Sequence, residues 1–315
     1  KLLVTNTNLH PPMEIASKTP LSQALPWLLE NNTQKKEFIL VTDSVETDGR
    51  FLLYSQATHT LLRSQKHKEG TNAEGNPSVL WLSCGSLTEF LVASSLRKMG
   101  SEAATDYLKG IKKRINTKNG PLRIISIVSD LLNQEGPPGL DDSYLKNLYC
   151  SIKGNVDSSS ESNEEISSSM LVVVDDASAL ANIFGERLAY LFLSYIRMLS
   201  GVSVIVRCSN DIDKDSFMEN DLPSVHPNRK ADWFGAGGQG NNLERSVEPP
   251  WERTLVELAD WVADVTPLSS GYSREAHGRL IVSAIPSCNP PLVMNYSLQD
   301  NSVMAIRLKA PLEIN

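Results

Sequence analysis

The chain has 315 residues, 41% hydrophobic and 21% charged, the composition of an ordinary globular protein with room for one large domain. Thirty basic against 37 acidic residues leave a net charge of −7, which argues against a protein coated with nucleic acid but leaves room for a local basic stripe. Cys84, Cys150, Cys208 and Cys288 are far apart and form no CxxC pair, which argues against zinc and a disulfide framework and for a reducing compartment.

Residues 1–37 read as an N-terminal extension. Lys1-Leu2-Leu3-Val4 passes at once into polar residues and a Pro-Pro pair, so no secretory segment is expected. The first strand is Phe38-Ile39-Leu40-Val41-Thr42, ending in Asp43. Phe51, Leu52, Tyr54, Leu61 and Leu62 then mark a helix face beginning near Gly49. Val79 to Leu82 is a second strand, and Leu87 to Met99 a helix closed by Gly100. Ile124 to Val128 and Met170 to Val174 are further strands. A helix from Glu186 to Leu199 and a strand from Val202 to Val206 follow. Trp261 to Val265, Leu280 to Ala284 and Val303 to Leu308 form a closing set of strands with no helix between them. The longest apolar run, Leu188 to Ile196, has nine residues, well short of the roughly 20 a bilayer needs, so a soluble intracellular protein is expected.

Continuous β-branched runs alternating with helices predict an α/β fold. Its mostly parallel sheet is covered on both faces and extended by antiparallel strands at the C-terminus. One domain, 38–315, is expected with two interruptions. Residues 155–169 hold seven serines and four acids and read as a disordered insertion. Residues 209–250 form a 42-residue loop.

In such a fold the turn after the first strand is where phosphate is bound, by a GxxxxGK[ST] loop. The stretch Thr42 to Arg50 has a single glycine, Gly49, and no lysine, and it sets Asp43, Glu46 and Asp48 where a polyanion would go. Like charges repel the ligand, so this reads as a degenerate nucleotide site. Met170 to Asp176 has the form of a Walker B strand, with Asp175 placed to hold a water-bound magnesium or, structurally, to cap the following turn. The two together describe an NTPase scaffold without its chemistry, with no cofactor, no metal and no catalytic residue expected.

Three other patterns fail. Residues 235–240 spell GxGxxG without the flanking strand and helix. Asp211, Asp213 and Asp215 open a calcium-loop spacing that lacks its glycine and its glutamate. His277 with Ser273 and Glu275 is triad-like in composition only and reads as a turn.

Between Arg97 and Arg123 eight basic residues face two acids. Within this run, Lys109, Lys112, Lys113 and Arg114 are candidates for contact with a nucleic-acid backbone, or else a solvated helix face. Arg229 and Lys230 beside Trp233 and Phe234 form a second candidate, suited to stacking an unpaired base or to touching a partner subunit. Trp251, Leu255, Leu258 and Trp261 form an apolar set at helical spacing, expected to be a subunit interface.

Four segments, in order and spanning most of the chain, carry a family resemblance. They are FILVTDSVETDGRFLL (38–53), LVVVDDASAL (171–180), SREAHGRLIV (273–282) and NYSLQDNSVMAIRLK (295–309). Together they resemble the Elongator complex protein 6 family. The serine-rich insertion and the loop after Val206 set the chain apart from shorter members. The resemblance implies a RecA-like fold and a heterohexameric ring with Elongator subunits four and five. It implies that the ring docks on the catalytic subcomplex, which begins modification of the wobble uridine of tRNA, with a location in the cytoplasm and also the nucleus. It also implies that the ring binds tRNA and that ATP hydrolysis by the ring releases it. Two alternatives stay open on the residues alone: an active RecA-type ATPase, and a RecA paralogue acting on DNA. No membrane association is expected.

Overall fold

The computed structural model describes residues 15–29, 36–44, 46–68, 77–85, 87–112, 120–133, 142–160, 170–209, 251–268, 271, 273–287, 289–300 and 302–308. Its strands are β1 (Ile15–Pro20), β2 (Phe38–Asp43), β3 (Val79–Ser83), β4 (Leu122–Ser126), β5 (Met170–Asp175), β6 (Val202–Ser209), β7 (Trp261–Thr266), β8 (Gly278–Ala284), β9 (Leu292–Gln299) and β10 (Ser302–Leu308). Its helices are α1 (Pro26–Leu29), α2 (Arg50–Lys68), α3 (Glu89–Lys98), α4 (Glu102–Lys112), α5 (Ile127–Leu132), α6 (Asp142–Ser160), α7 (Ala177–Phe184), α8 (Glu186–Met198) and α9 (Trp251–Val256).

All ten strands form one sheet in the order β1-β10-β9-β8-β7-β2-β6-β5-β3-β4. From β7 to β4 every pairing is parallel; from β7 to β1 every pairing is antiparallel. The central parallel strands are mostly apolar because helices cover both faces: β2, β3 and β5 are buried at every position. Alternate residues go to opposite cores. Ile39, Val41, Trp81 and Val173 pack with α2, α3 and α4. Phe38, Leu40, Leu82 and Val174 pack with the side of the sheet that carries α6, α7, α8 and α9.

The structure differs from the sequence reading at several points, among them the strand expected over Ile124 to Val128, which is β4 at Leu122–Ser126 with Ile127 and Val128 opening α5. Residues 15–29 are part of the domain rather than an extension. β1 pairs with β10, and Leu21, Leu25, Trp27 and Leu28 are buried, with Trp27 against Trp261 at 5.7 Å. The serine-rich segment starts inside a helix, since α6 runs to Ser160 on the buried residues Leu145, Leu148 and Ile152; residues 161–169 lie outside the described residues. Strand β9 was not expected; it supplies the hairpin partner of β10. The apolar set at the start of α9 is not a surface. Trp251, Leu255 and Leu258 are buried against β2, α8 and their neighbours, so their spacing reflects core packing. Among the described residues no helix is long and apolar enough to cross a membrane.

Candidate functional site

The connection leaving β2 runs through α2 to β3, on one side of the sheet order. The chain leaving β6 reaches β7 on the other. Between the C-terminal ends of the neighbours β2 and β6 the winding therefore reverses, and such a switch point opens a crevice where α/β folds bind ligands. Asp43 ends β2, and Arg207 lies near the end of β6, with Asp175 ending β5 on its far side.

These three side chains meet in the crevice. Arg207 Nε donates to Asp43 Oδ2 at 2.7 Å, and its Nη1 stands 3.5 Å from Asp175 Oδ1 and 3.8 Å from Asp176 Oδ2. Arg207 Nη2 donates to Ser209 Oγ at 2.8 Å, and Ser209 Oγ is 3.3 Å from Asp43 Oδ1. Arg50, in the first turn of α2, adds a second guanidinium with Nε 3.2 Å from Asp175 Oδ1. Two cations thus face the four carboxylates of Asp43, Asp48, Asp175 and Asp176, and the balance is negative.

The amino end of α2 is occupied as well. Gly49 N–H donates to Asp43 Oδ2 at 2.7 Å, and Arg50 N–H to Asp48 Oδ1 at 2.9 Å. Helix N-terminal N–H groups like these hold phosphate in a nucleotide-binding turn; here carboxylates of the chain accept them. The turn is anchored to β7 by Thr47 Oγ1, which donates to the carbonyl of Val265 at 2.9 Å.

Burial pushes the carboxyls of Asp43 and Asp175 above their ordinary range, against the downward pull of Arg207 on the first and of Arg50 and Arg207 on the second. Burial opposes the charge on Arg207, but Asp43, Asp175 and Asp176 outweigh it and hold the guanidinium charged.

Of the residues expected at a degenerate site, the structure brings Asp43, Gly49 and Asp175 together and leaves Asp48 exposed at the rim. The cap of α7 is not Asp175 but Asp176, which sits at φ 78° and accepts from Ala179 N–H at 2.9 Å. Asp175 is taken up by the two arginines instead. Arg50 and Arg207 escaped the sequence reading. The signal was a lone arginine directly after the apolar run Val202 to Val206, where a buried charge demands a partner.

Lys109 and Lys112 are exposed in the last turn of α4, with Lys109 paired to Asp106 at 2.9 Å. Tyr107 Oη donates to Glu89 Oε2 at 3.0 Å, so α4 runs back along α3 and brings that basic turn toward the side where α3 begins. Lys113, Arg114, Arg229, Lys230 and Trp233 lie outside the described residues, as do the GxGxxG and calcium-like patterns. His277 is a turn residue whose Nδ1 accepts from Leu298 N–H at 3.1 Å. Among the described residues lining a shallow depression of about 310 Å³, which include Ser178, Asn182, Glu186, Ser209, Trp251 and Glu252, there is no basic group for a phosphate.

No family model matches the sequence, and no curated protein matches it. Solved structures do resemble the fold. An uncharacterized protein from Pyrococcus horikoshii in complex with an unknown peptide shares 12% identity at a TM-score of 0.50, over 88% of this chain and 94% of that one. A second structure, that of an ATPase domain, shares 10% identity at a TM-score of 0.46, over 84% and 81%. The chain has a RecA-like α/β fold with antiparallel C-terminal strands; at such identities the likeness concerns the fold alone.

Proposed function

We propose that the chain is a non-catalytic RecA-like subunit of the heterohexameric Elongator ring. With subunits four and five it supports tRNA binding for wobble uridine modification by the catalytic subcomplex, in the cytoplasm and nucleus. The Elongator assignment rests on the sequence resemblance. The non-catalytic part rests on one observation: Asp43 and Arg207 fill the switch-point crevice where a nucleotide would lie, 2.7 Å apart.

The motif residues that carry the resemblance have interlocking structural work. Gly278 faces Tyr296 across the β8–β9 pair, and a Cβ on Gly278 would stand 2.5 Å from the tyrosine Oη. The Tyr296 ring packs on Phe51 at 4.5 Å, directly behind the turn that carries Gly49. His277 N–H donates to the Tyr296 carbonyl at 2.8 Å. Three of the four segments therefore support one another beside the degenerate site.

Two measurements test the reading. Purified from its own cells, the chain should bring down Elongator subunits four and five, and the three should reassemble into a ring. A chain that stays monomeric when mixed with both overturns the assignment. Calorimetry of the isolated chain should give no appreciable ATP binding; micromolar affinity abolished by Asp175→Ala would establish the active-ATPase alternative.

A further inference from the structure

A phosphate at a helix N-terminus is held by backbone N–H groups and a nearby cation, and a magnesium beside it by a strand-end carboxylate. Each of these roles has a protein group in it here. Asp43 Oδ2 receives Gly49 N–H and Arg207 Nε, both at 2.7 Å, as a phosphate oxygen would. Arg50 Nε and Arg207 Nη1 stand at 3.2 and 3.5 Å from Asp175 Oδ1, as a metal would.

Gly49 is an independent mark of the same arrangement. A Cβ there would lie 2.8 Å from Val41 Cγ1 and 3.2 Å from Asp43 Oδ2. The glycine is needed because the chain's own carboxylate and strand come so close to the backbone.

We infer that Asp43, Arg207, Asp175 and Arg50 are a built-in substitute for nucleotide and metal, locking the ends of β2, β5 and β6 to the start of α2. The inference deepens the non-catalytic reading and rests on it. Each of these side chains has a protein partner at the position a ligand atom would take, so the shape of this subunit does not depend on nucleotide, phosphate or magnesium. In a ring whose other members respond to nucleotide, this one is a fixed wall.

The test is thermal unfolding and amide hydrogen exchange of the full chain, with and without millimolar magnesium-ATP or inorganic phosphate. The unfolding midpoint should not move, and the N–H group of Gly49, bound to Asp43, should be protected without ligand. Arg207→Met should lower the midpoint by about 5–10 °C and expose that amide. Should that variant not fold, Asp43→Asn and Arg207→Gln provide a milder cycle, in which the double variant loses less than the sum of the singles. A midpoint raised by ATP or phosphate, fast exchange of the Gly49 amide, or an additive cycle would overturn the lock. None of these outcomes touches ring membership, which is read by association with subunits four and five. Failed association with the lock intact would sink the Elongator reading alone.

Discussion

Arg207 and Asp43 share a 2.7 Å ion pair between neighbouring parallel strands, with side chains 8% and 0% exposed. A pair so far from water is held by its geometry, since each partner left alone would be a buried charge. The domain therefore tolerates the loss of either partner poorly, and the loss depends on pH.

Burial raises the carboxyls of Asp43 and Asp175, so each binds its proton more tightly in the fold than in the unfolded chain, where the value is near 3.8. Their contribution to stability is fully present below that unfolded value and is lost as pH rises through the folded one. Arg207→Met removes a downward pull on both, moves the folded values further up and widens the window. The substitution should cost about 3 kcal/mol at pH 7 and less at pH 4, read by denaturant unfolding at both. Equal losses at the two pH values would refute this coupling.

Gly278 and Tyr296 give a second test. With the tyrosine Oη and ring atoms 2.5 to 2.7 Å from where a Cβ would stand, Gly278→Ala overpacks the β8–β9 pair. The expected loss is about 2 kcal/mol, and Tyr296→Leu in the same chain should recover part of it. A Gly278→Ala chain as stable as the parent would mean that the ring moves aside freely.

The buried α9 residues yield a third. Leu255 is fully buried, so Leu255→Ala should cost about 3 kcal/mol in the isolated chain and leave its assembly state unchanged once folded. A variant of normal stability that no longer joins the proposed subunits four and five would restore the interface reading.

Much of this architecture could be read in advance, for identifiable reasons. The runs Phe38–Val41, Val79–Leu82, Met170–Val174 and Val204–Val206 are continuously apolar because both faces of these strands are covered. The lack of a GxxxxGK[ST] pattern after β2 is a matter of residue type and position, so it is stated by the sequence alone. Strand β1 and helix α6 were not legible there, since their apolar positions are diluted by polar neighbours and only tertiary pairing selects their conformation. Arg50 and Arg207 were missed because they lie far apart in sequence and only the sheet order brings both to Asp175. The Trp251–Leu258 spacing marked an apolar face correctly, but periodicity alone does not say whether such a face meets the core or a partner.

The last prediction concerns the basic end of α4 and rests on the proposed tRNA role. Lys109 and Lys112 are exposed in its final turn, and Lys113 follows directly in the sequence. The Lys109–Asp106 pair is open to solvent on both sides, an interaction that contributes little and exchanges readily for a phosphate. Such contacts act as point charges and carry no base information. Changing all three lysines to alanine should weaken every tRNA alike and make the salt dependence of binding shallower, by up to about three phosphates' worth of counterion release. Asp43→Asn should alter neither, because Asp43 is turned into the crevice and bound to Arg207. The measurement is tRNA binding by the reassembled ring at several salt concentrations. An unchanged affinity and slope in the triple variant would make the α4 turn a solvated face and shift the contact to Arg229, Lys230 and Trp233.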